Sequence, residues 1–325
     1  MITRKIGPFT VNAVGLGCMG MSHGYGSTDR QTAACTLNTA IDLGYNFLDT
    51  AALYGFGENE KLIGDTLATR RSEFILASKC GLIRGSDGKR SVDARPSKIR
   101  ETCEQSLRNL KTDCIDLYYL HRVDPKVALE DQIGTLAELV EAGKVRSIGL
   151  SEVSAETLRK ASALYPITAL QSEYSLWTRN PENKVLETCR ELGTTFVAFS
   201  PLGRGFLTGK LTATDKLESI DLRLNMPRFN TENLPKNLAL LDALETIAKS
   251  RQLTQAQISL AWIMTKHPEI IVIPGTTKAN HAAENFAAQG ILLSKDEMNL
   301  LEKTFNLNAI FGERYDTLTL ASMET

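Results

Sequence analysis

The sequence predicts an α/β protein built on a (β/α)8 TIM barrel, with a short N-terminal β-hairpin cap and an extra C-terminal helix. Three observations carry that prediction. Eight short apolar runs alternate with stretches of helical apolar spacing along most of the 325 residues. The runs are continuously apolar, which marks strands buried on both faces in a parallel sheet covered by helices. Eight such units in a chain of this length favour a closed barrel over an open doubly wound sheet. No linker or low-complexity run interrupts the pattern, so residues 1–325 read as one domain.

Residues 2–13 alternate weakly about Gly7-Pro8 and predict the hairpin. The first barrel strand runs into Val14-Gly15-Leu16-Gly17-Cys18-Met19-Gly20, a formal G-x-G-x-x-G match. A dinucleotide fingerprint needs a helix opening on those glycines. Here Met21-Ser22-His23-Gly24-Tyr25-Gly26-Ser27 follows, which cannot be a helix, so the glycines read as a strand ending in a loop.

A helix over 31–43 stops at Gly44, and a strand over 45–48 delivers Asp49. Asn59 reads as the N-cap of a helix over 60–68. A strand over 73–79 ends at Lys79, and a polar loop, 84–95, leads to a helix from residue 97 with Ile99, Cys103, Leu107 and Leu110 on one face. The strand at 115–120 ends at His121, and a helix over 129–142 is closed by Gly143. Strands over 145–150, 167–170 and 195–199 end at Ser151, Gln171 and Ser200, separated by helices near 154–163 and 182–192. Residues 202–237 read as irregular. Helices over 238–250 and 254–266, a strand over 270–273, helices over 279–288 and 295–304, and a polar tail complete the chain.

Composition narrows the function. Apolar content of 42% and charged content of 23% are ordinary for a soluble globular enzyme. A formal net charge of −1 gives no reason to expect nucleic acid or an anionic membrane as partner. No apolar stretch approaches the ~20 residues of a membrane span, and the first residues lack the apolar segment of a signal peptide. The six cysteines form no C-x-x-C pair and read as reduced thiols, which points to the cytoplasm.

The barrel would gather Asp49, Lys79, His121, Ser151, Gln171 and Ser200 at the C-terminal ends of its strands, with Tyr54 on a loop above Asp49. That face is where barrel enzymes place their chemistry. Singly, each has a structural reading, as a turn cap, a counter-ion or a core-boundary histidine; together they suggest proton transfer by a phenol. An ammonium beside a tyrosine stabilises its phenolate, which suits Lys79, and Asp49 would hold Lys79 charged and in place. His121 could orient a reacting carbonyl oxygen. The set has no electron donor, so a hydride must come from a cofactor.

In that chain order, Asp49, Tyr54, Lys79 and His121 resemble the catalytic tetrad of the aldo-keto reductase family. The resemblance spans nearly the whole chain. It includes the stretch from Gly44 to Ala51, the stretch from Gly143 to Ser151, Leu170-Gln171-Ser172-Glu173-Tyr174, Phe199-Ser200-Pro201-Leu202-Gly203 and Ile273-Pro274-Gly275-Thr276-Thr277-Lys278. His121-Arg122-Val123-Asp124-Pro125 and Ser172-Glu173-Tyr174-Ser175-Leu176-Trp177 resemble its microbial and plant branch.

The resemblance implies a (β/α)8 barrel that binds NADPH, or less often NADH, and reduces an aldehyde or ketone. It makes Tyr54 the proton donor, Lys79 its tuning group, Asp49 the partner of Lys79, and His121 the residue that orients the carbonyl. It assigns Ser151 and Gln171 to the nicotinamide carboxamide and Phe199 to stacking on the nicotinamide ring. Ser200, Pro201, Leu202 and Gly203 follow the pyrophosphate, with Arg204 adding charge. Gly275, Thr276 and Lys278 match the segment around the adenosine 2′-phosphate, with Glu284 and Asn285 near the adenine; Gly17 and Met19 join the same cofactor groove.

Two departures stand out. Glu152 occupies a position that is asparagine in many relatives, and is expected to point away from the cofactor. Gly275 and His281 stand where several relatives carry a further cation, which leaves Lys278 as the expected principal charge for the phosphate. Met19, Tyr25, Trp177 and Phe229, with Tyr54 and His121, are the expected walls of the substrate pocket. A non-catalytic NADPH-binding regulatory subunit is the alternative on the same fold, opposed by the intact tetrad. A metal-dependent hydrolase would need more converging ligands than four histidines and Asp49 suggest, so no metal is expected.

Overall fold

The computed structural model describes residues 2–85, 90–215, 217–320 and 323–324. Twelve strands are present among them: β1 Thr3–Ile6, β2 Phe9–Asn12, β3 Leu16–Gly17, β4 Phe47–Asp49, β5 Ile75–Cys80, β6 Leu82–Arg84, β7 Arg90–Val92, β8 Ile115–Leu120, β9 Val145–Ser151, β10 Ala169–Glu173, β11 Thr195–Phe199 and β12 Ile271–Ile273. Eight of them form one parallel sheet in the order β12-β11-β10-β9-β8-β5-β4-β3. Parallel bridges Val14↔Val272 and Gly17↔Gly275 bring its two edges together and close the barrel.

The early glycines form that seam. Gly15 N donates to Val272 O at 2.9 Å, and Val272 N donates to Ala13 O at 3.0 Å. A Cβ on Gly17 would stand 2.8 Å from Ile273 O. Gly17 is therefore needed for the close backbone approach that closes the sheet.

Inside the barrel, Phe47, Ala77, Leu117, Tyr119, Ala169, Val197, Ile271 and Ile273 form a core distinct from the one between sheet and helices. Ile6, Phe9 and Val11 of the hairpin β1–β2 join it, so the hairpin caps the barrel from below. Helices Arg30–Asp42, Glu58–Leu67, Pro96–Leu110, Leu129–Glu141, Ala155–Leu164, Val185–Leu192, Leu241–Arg251, Gln255–Lys266 and Ala279–Ala287 surround the strands, and Lys295–Thr304 is the extra C-terminal helix. Among the described residues no helix is long and apolar enough to cross a membrane.

Three local expectations are corrected. Asn59 is not an N-cap: the helix starts at Glu58, capped by Gly57 at φ 93°, and Asn59 is wholly buried. The stretch 84–95 is more than loop, since β6 and β7 pair as an antiparallel hairpin there; residues 86–89 of that stretch lie outside the described residues. The tail beyond residue 305 is not a simple polar end. It buries Arg314 and carries a short helix, Thr317–Leu320, back to the strand ends.

Candidate active site

The barrel register sets the chemical corner. β4 pairs with β5, and β5 with β8, so Asp49, Lys79 and the residue after β8, His121, emerge side by side at the C-terminal ends of neighbouring strands. Tyr54 follows β4 on a single 3₁₀ turn, Tyr54–Gly57, in which Gly55 and Phe56 both adopt positive φ. Asn59 fastens this turn. Its amide donates to Cys18 O at 2.8 Å and Ser22 Oγ at 2.9 Å, and its carbonyl accepts from Thr50 Oγ1 at 2.6 Å. The loops after β3 and β4 are thereby held together beneath the phenol.

Lys79 is enclosed, its ammonium paired with Asp49. It donates to Thr50 O at 2.9 Å and reaches Tyr54 Oη at 3.4 Å. The other carboxylate oxygen of Asp49 accepts from Gln171 Nε2 at 2.7 Å. Burial pulls Lys79 down, but Asp49 and then Tyr54 outweigh it, so the ammonium stays charged. The ring of His121 stands edge-on to that of Tyr54, centroids 5.8 Å apart. Burial, reinforced by Lys79 and Arg122, holds His121 well below its ordinary 6.5, so the imidazole is neutral. Its Nδ1 is buried without a partner among the described residues, which leaves Nε2 for the cavity that His121 lines.

The expected direction of the Tyr54 shift is reversed. Lys79 does pull the phenol down, but burial is the larger effect and Asp49 adds to it, so the net shift is upward from 10.0. The group therefore keeps its proton through the neutral range, the form a proton donor needs.

A cavity of about 900 Å³ runs from this corner across the strand ends of β9 to β12. Gly17, Met19, Tyr25, Asp49, Tyr54, His121, Ser151, Gln171, Phe199, Ser200, Pro201, Leu202, Arg204, Gly275, Thr276, Lys278, Glu284 and Asn285 all line it. Lys79 acts from behind Tyr54. Backbone turns with positive φ at Ser200, Arg204 and Gly205 form the floor past Phe199. At the far end Lys210 and His281 join Lys278, with Lys210 Nζ 3.4 Å from His281 Nε2. Lys278 is therefore one of three nitrogen groups there, and Lys210 lies in the segment that the sequence left as irregular.

Three assignments fail on placement. Trp177 and Phe229 do not line the cavity: both are buried, Trp177 stacking on Phe206 at 4.1 Å between centroids and meeting Phe229 edge-on. They are core under the loops because the turn after β10 folds away from the barrel mouth. Gly203 is also off the cavity; a Cβ there would meet the Trp177 indole at 2.5 Å. Arg204 does line the cavity, but Glu173 at 2.7 Å neutralises its charge.

The tail supplies what sequence reading missed. Arg314 pairs with Glu152 at 2.7 Å, and Glu152 also accepts from Glu173 N at 2.8 Å. Glu152 sits at φ 56°, so its side chain turns from the cavity to the tail, as its departure from asparagine suggested. Tyr315, Asp316 and Thr319 then line the cavity, and the Tyr315 hydroxyl meets Arg204. Charge alternation in a tail gives no periodic signal; only the buried Glu152 and Glu173 awaiting cations could have hinted at it.

The phenol, ammonium and imidazole of this corner are groups that can move a proton and orient an oxygen, and the groove beside them ends in the cations Lys210 and Lys278. Fold and site together define an oxidoreductase. A sequence profile described as the Aldo/keto reductase family matches residues 13–305, and the chain belongs to that family.

It is 41% identical over 319 residues to an NADP(+) aldo-keto reductase, yakc, of Schizosaccharomyces pombe, covering 96% of this chain and 94% of that one. A glycerol dehydrogenase of Gluconobacter oxydans superposes with TM-score 0.85 at 28% identity, covering 93% of this chain and 94% of the other. An aldo-keto reductase of Klebsiella pneumoniae, solved with NADPH, gives TM-score 0.75 at 26% identity over 97% of this chain and 99% of that one.

Proposed function

We propose that the protein reduces aldehydes or ketones to alcohols with NADPH, Tyr54 donating the proton to the carbonyl oxygen. One observation carries the reading: a half-buried phenol stands 3.4 Å from an ammonium that Asp49 keeps charged, beside a neutral imidazole at the head of a long groove. The NADP(+) in the name of the yeast relative and the NADPH bound in the Klebsiella structure support the choice of cofactor.

The groove's chemistry fits the dinucleotide. Phe199 offers a ring face, Ser151 and Gln171 offer polar groups beside it, the 200–205 turns offer backbone N–H groups, and Lys210, Lys278 and His281 offer charge for a phosphate. When bound, NADPH supplies the hydride for the carbonyl carbon. His121 Nε2–H donates to the carbonyl oxygen and aims it at Tyr54. As charge grows on that oxygen, the phenol releases its proton to it, and Lys79 stabilises the phenolate left behind. Asp49 keeps Lys79 in place and cationic. The substrate is a small molecule, and all six cysteines are free, which suits the cytoplasm.

The test is a screen of NADPH oxidation across aromatic, aliphatic and dicarbonyl substrates, with Tyr54→Phe as control. Reduction should fall by about 10²–10⁴ in the variant. Undiminished activity in Tyr54→Phe would reassign the proton donor, and failure to bind NADPH would overturn the reading. Comparing KM for NADPH and NADH tests the cation cluster; a preference for NADH would remove the phosphate role of Lys278.

A further inference from the structure

Arginines buried near the cavity are, with one exception, satisfied by the protein. Arg204 is paired with Glu173 at 2.7 Å, Arg223 with Asp221 at 2.6 Å and Arg314 with Glu152 at 2.7 Å. Arg228 has no carboxylate partner among the described residues, but donates to Trp177 O, Thr178 Oγ1 and Gly312 O. Arg122 is different. It is only 7% exposed, it lines the cavity directly after His121, and no carboxylate among the described residues lies within ion-pair distance.

Its two protein acceptors, His121 O at 2.5 Å and Ser151 Oγ at 3.2 Å, are uncharged and are both served by the single nitrogen Nη1. A guanidinium carries five N–H donors in a planar fork that matches a carboxylate. Burying such a charge without a counter-ion is costly, and the cost is recovered when an anion arrives.

Among the described residues no carboxylate pairs with Arg122; Glu152 is the chief one whose field reaches it, from beyond ion-pair distance. The Asp49 carboxylate is taken by Lys79 and Gln171, that of Asp316 accepts from Thr319 N and Oγ1, and that of Glu284 accepts from Thr254 Oγ1. Glu152 is turned to Arg314 and Glu173 N. A second cation, Arg90 on β7, lines the same end of the cavity and makes no ion pair among the described residues. Among the described residues, the Tyr54 end of the cavity therefore carries two arginines, Arg122 and Arg90, that have no carboxylate partner.

We infer that the physiological substrate is a carbonyl compound bearing a carboxylate, and that Arg122, assisted by Arg90, binds that carboxylate while the carbonyl lies at Tyr54 and His121. The inference rests on the reductase reading above. It makes Arg122 a specificity-determining residue: Nη1 stays on His121 O and Ser151, and the free edge of the fork takes the anion.

The experiment compares the three carboxybenzaldehyde isomers with their methyl esters as substrates for NADPH-dependent reduction. For at least one isomer, kcat/KM of the acid should exceed that of its ester by about tenfold or more, chiefly through KM. Added salt should raise KM for the acid and leave that for the ester unchanged. Arg122→Ala should abolish the acid-to-ester preference, Arg122→Lys should retain part of it, and Arg90→Ala, on an exposed hairpin, should reduce it by a smaller factor.

An ester turned over as well as its acid in every pair would overturn the inference while leaving the reductase reading intact. Equal losses of kcat for acid and ester in Arg122→Ala would assign the arginine to the reacting oxygen. A raised Kd for NADPH with the preference unchanged would assign it to the cofactor. Either result overturns the anion site. Turnover of neither acid nor ester, nor of any carbonyl in the wider screen, would remove the reductase reading itself.

Discussion

The cavity has two walls that are held in different ways. In the corner, Asp49, Lys79 and His121 hang from neighbouring strands whose hydrogen-bonded register fixes each side chain before any side-chain contact forms, and Tyr54 follows one short turn after β4. The cover formed by Tyr25, residues 204–215 and 217–223, and Tyr315, Asp316 and Thr319 of the tail has no such frame. Ion pairs hold it instead, Arg314 to Glu152 across 162 residues and Arg204 to Glu173, with Arg223 donating to Arg204 O and Leu222 N to Gly24 O. The lesson is one of support: Asp49, Lys79 and His121 take their places from the strand register and Tyr54 from one short turn after β4, whereas Tyr25, Arg204 and Tyr315 depend on side-chain contacts between distant segments.

The largest effect should come from the strand-held wall. Lys79→Met leaves the Asp49 carboxylate, 3% exposed, without its counter-ion. Breaking a buried pair from one side costs about 3–5 kcal/mol, and loss of the ammonium should lower kcat by about 10²–10⁴. Urea unfolding and steady-state kinetics measure the two losses. A variant that kept kcat within about twofold would show that the phenol works without Lys79.

Next comes Trp177→Ala, which separates core from pocket. Trp177 is 1% exposed and stacked between Phe206 and the Arg228 guanidinium. Its truncation should destabilise the fold by about 3–5 kcal/mol, with little change in KM for any carbonyl substrate. A large shift in substrate preference without loss of stability would return Trp177 to the pocket wall.

The same division explains what the sequence could show. Strand ends announce themselves, because an apolar run that stops at Asp49, Lys79 or His121 fixes both the position and the face of the polar residue. The glycine run near residue 15 was also legible by exclusion, and its use as the barrel seam follows from the Val14↔Val272 bridge that only three dimensions reveal. Trp177 and Phe229 were misplaced because an aromatic residue on a loop has the same local pattern whether it faces cavity or core. The tail was missed because Arg314 and Tyr315 find their partners in Glu152 and Arg204, with no spacing rule to connect them.

Arg314→Gln tests the wall held by ion pairs. Release of the tail lets water reach Glu152, so the loss should stay below the ~3–5 kcal/mol of a fully trapped pair. KM for cofactor or substrate should rise several-fold through Tyr315 and Thr319, while kcat changes less. A collapse of kcat comparable to that of Lys79→Met would mean that the two walls are not separable.

The smallest expected change is that of reduction kcat with pH, and its flatness is the diagnostic. Burial raises the Tyr54 phenol above its ordinary 10.0 despite Lys79, and burial with Lys79 and Arg122 holds His121 well below 6.5. Neither group changes charge between those values, so reduction should hold a plateau from pH 6.5 to 10, within about a factor of two. Below 6.5 the unfolded chain takes up a proton that folded His121 refuses, so this stabilising contribution is present above that pH and is lost as pH falls. Above 10 the unfolded chain gives up the Tyr54 proton first, so stability declines as pH rises toward the folded value. The reverse oxidation needs the phenolate and should quicken with pH across the same plateau. An acid or basic limb of kcat inside the window, recorded alongside urea midpoints that stay level, would place the proton donor on a group other than this phenol.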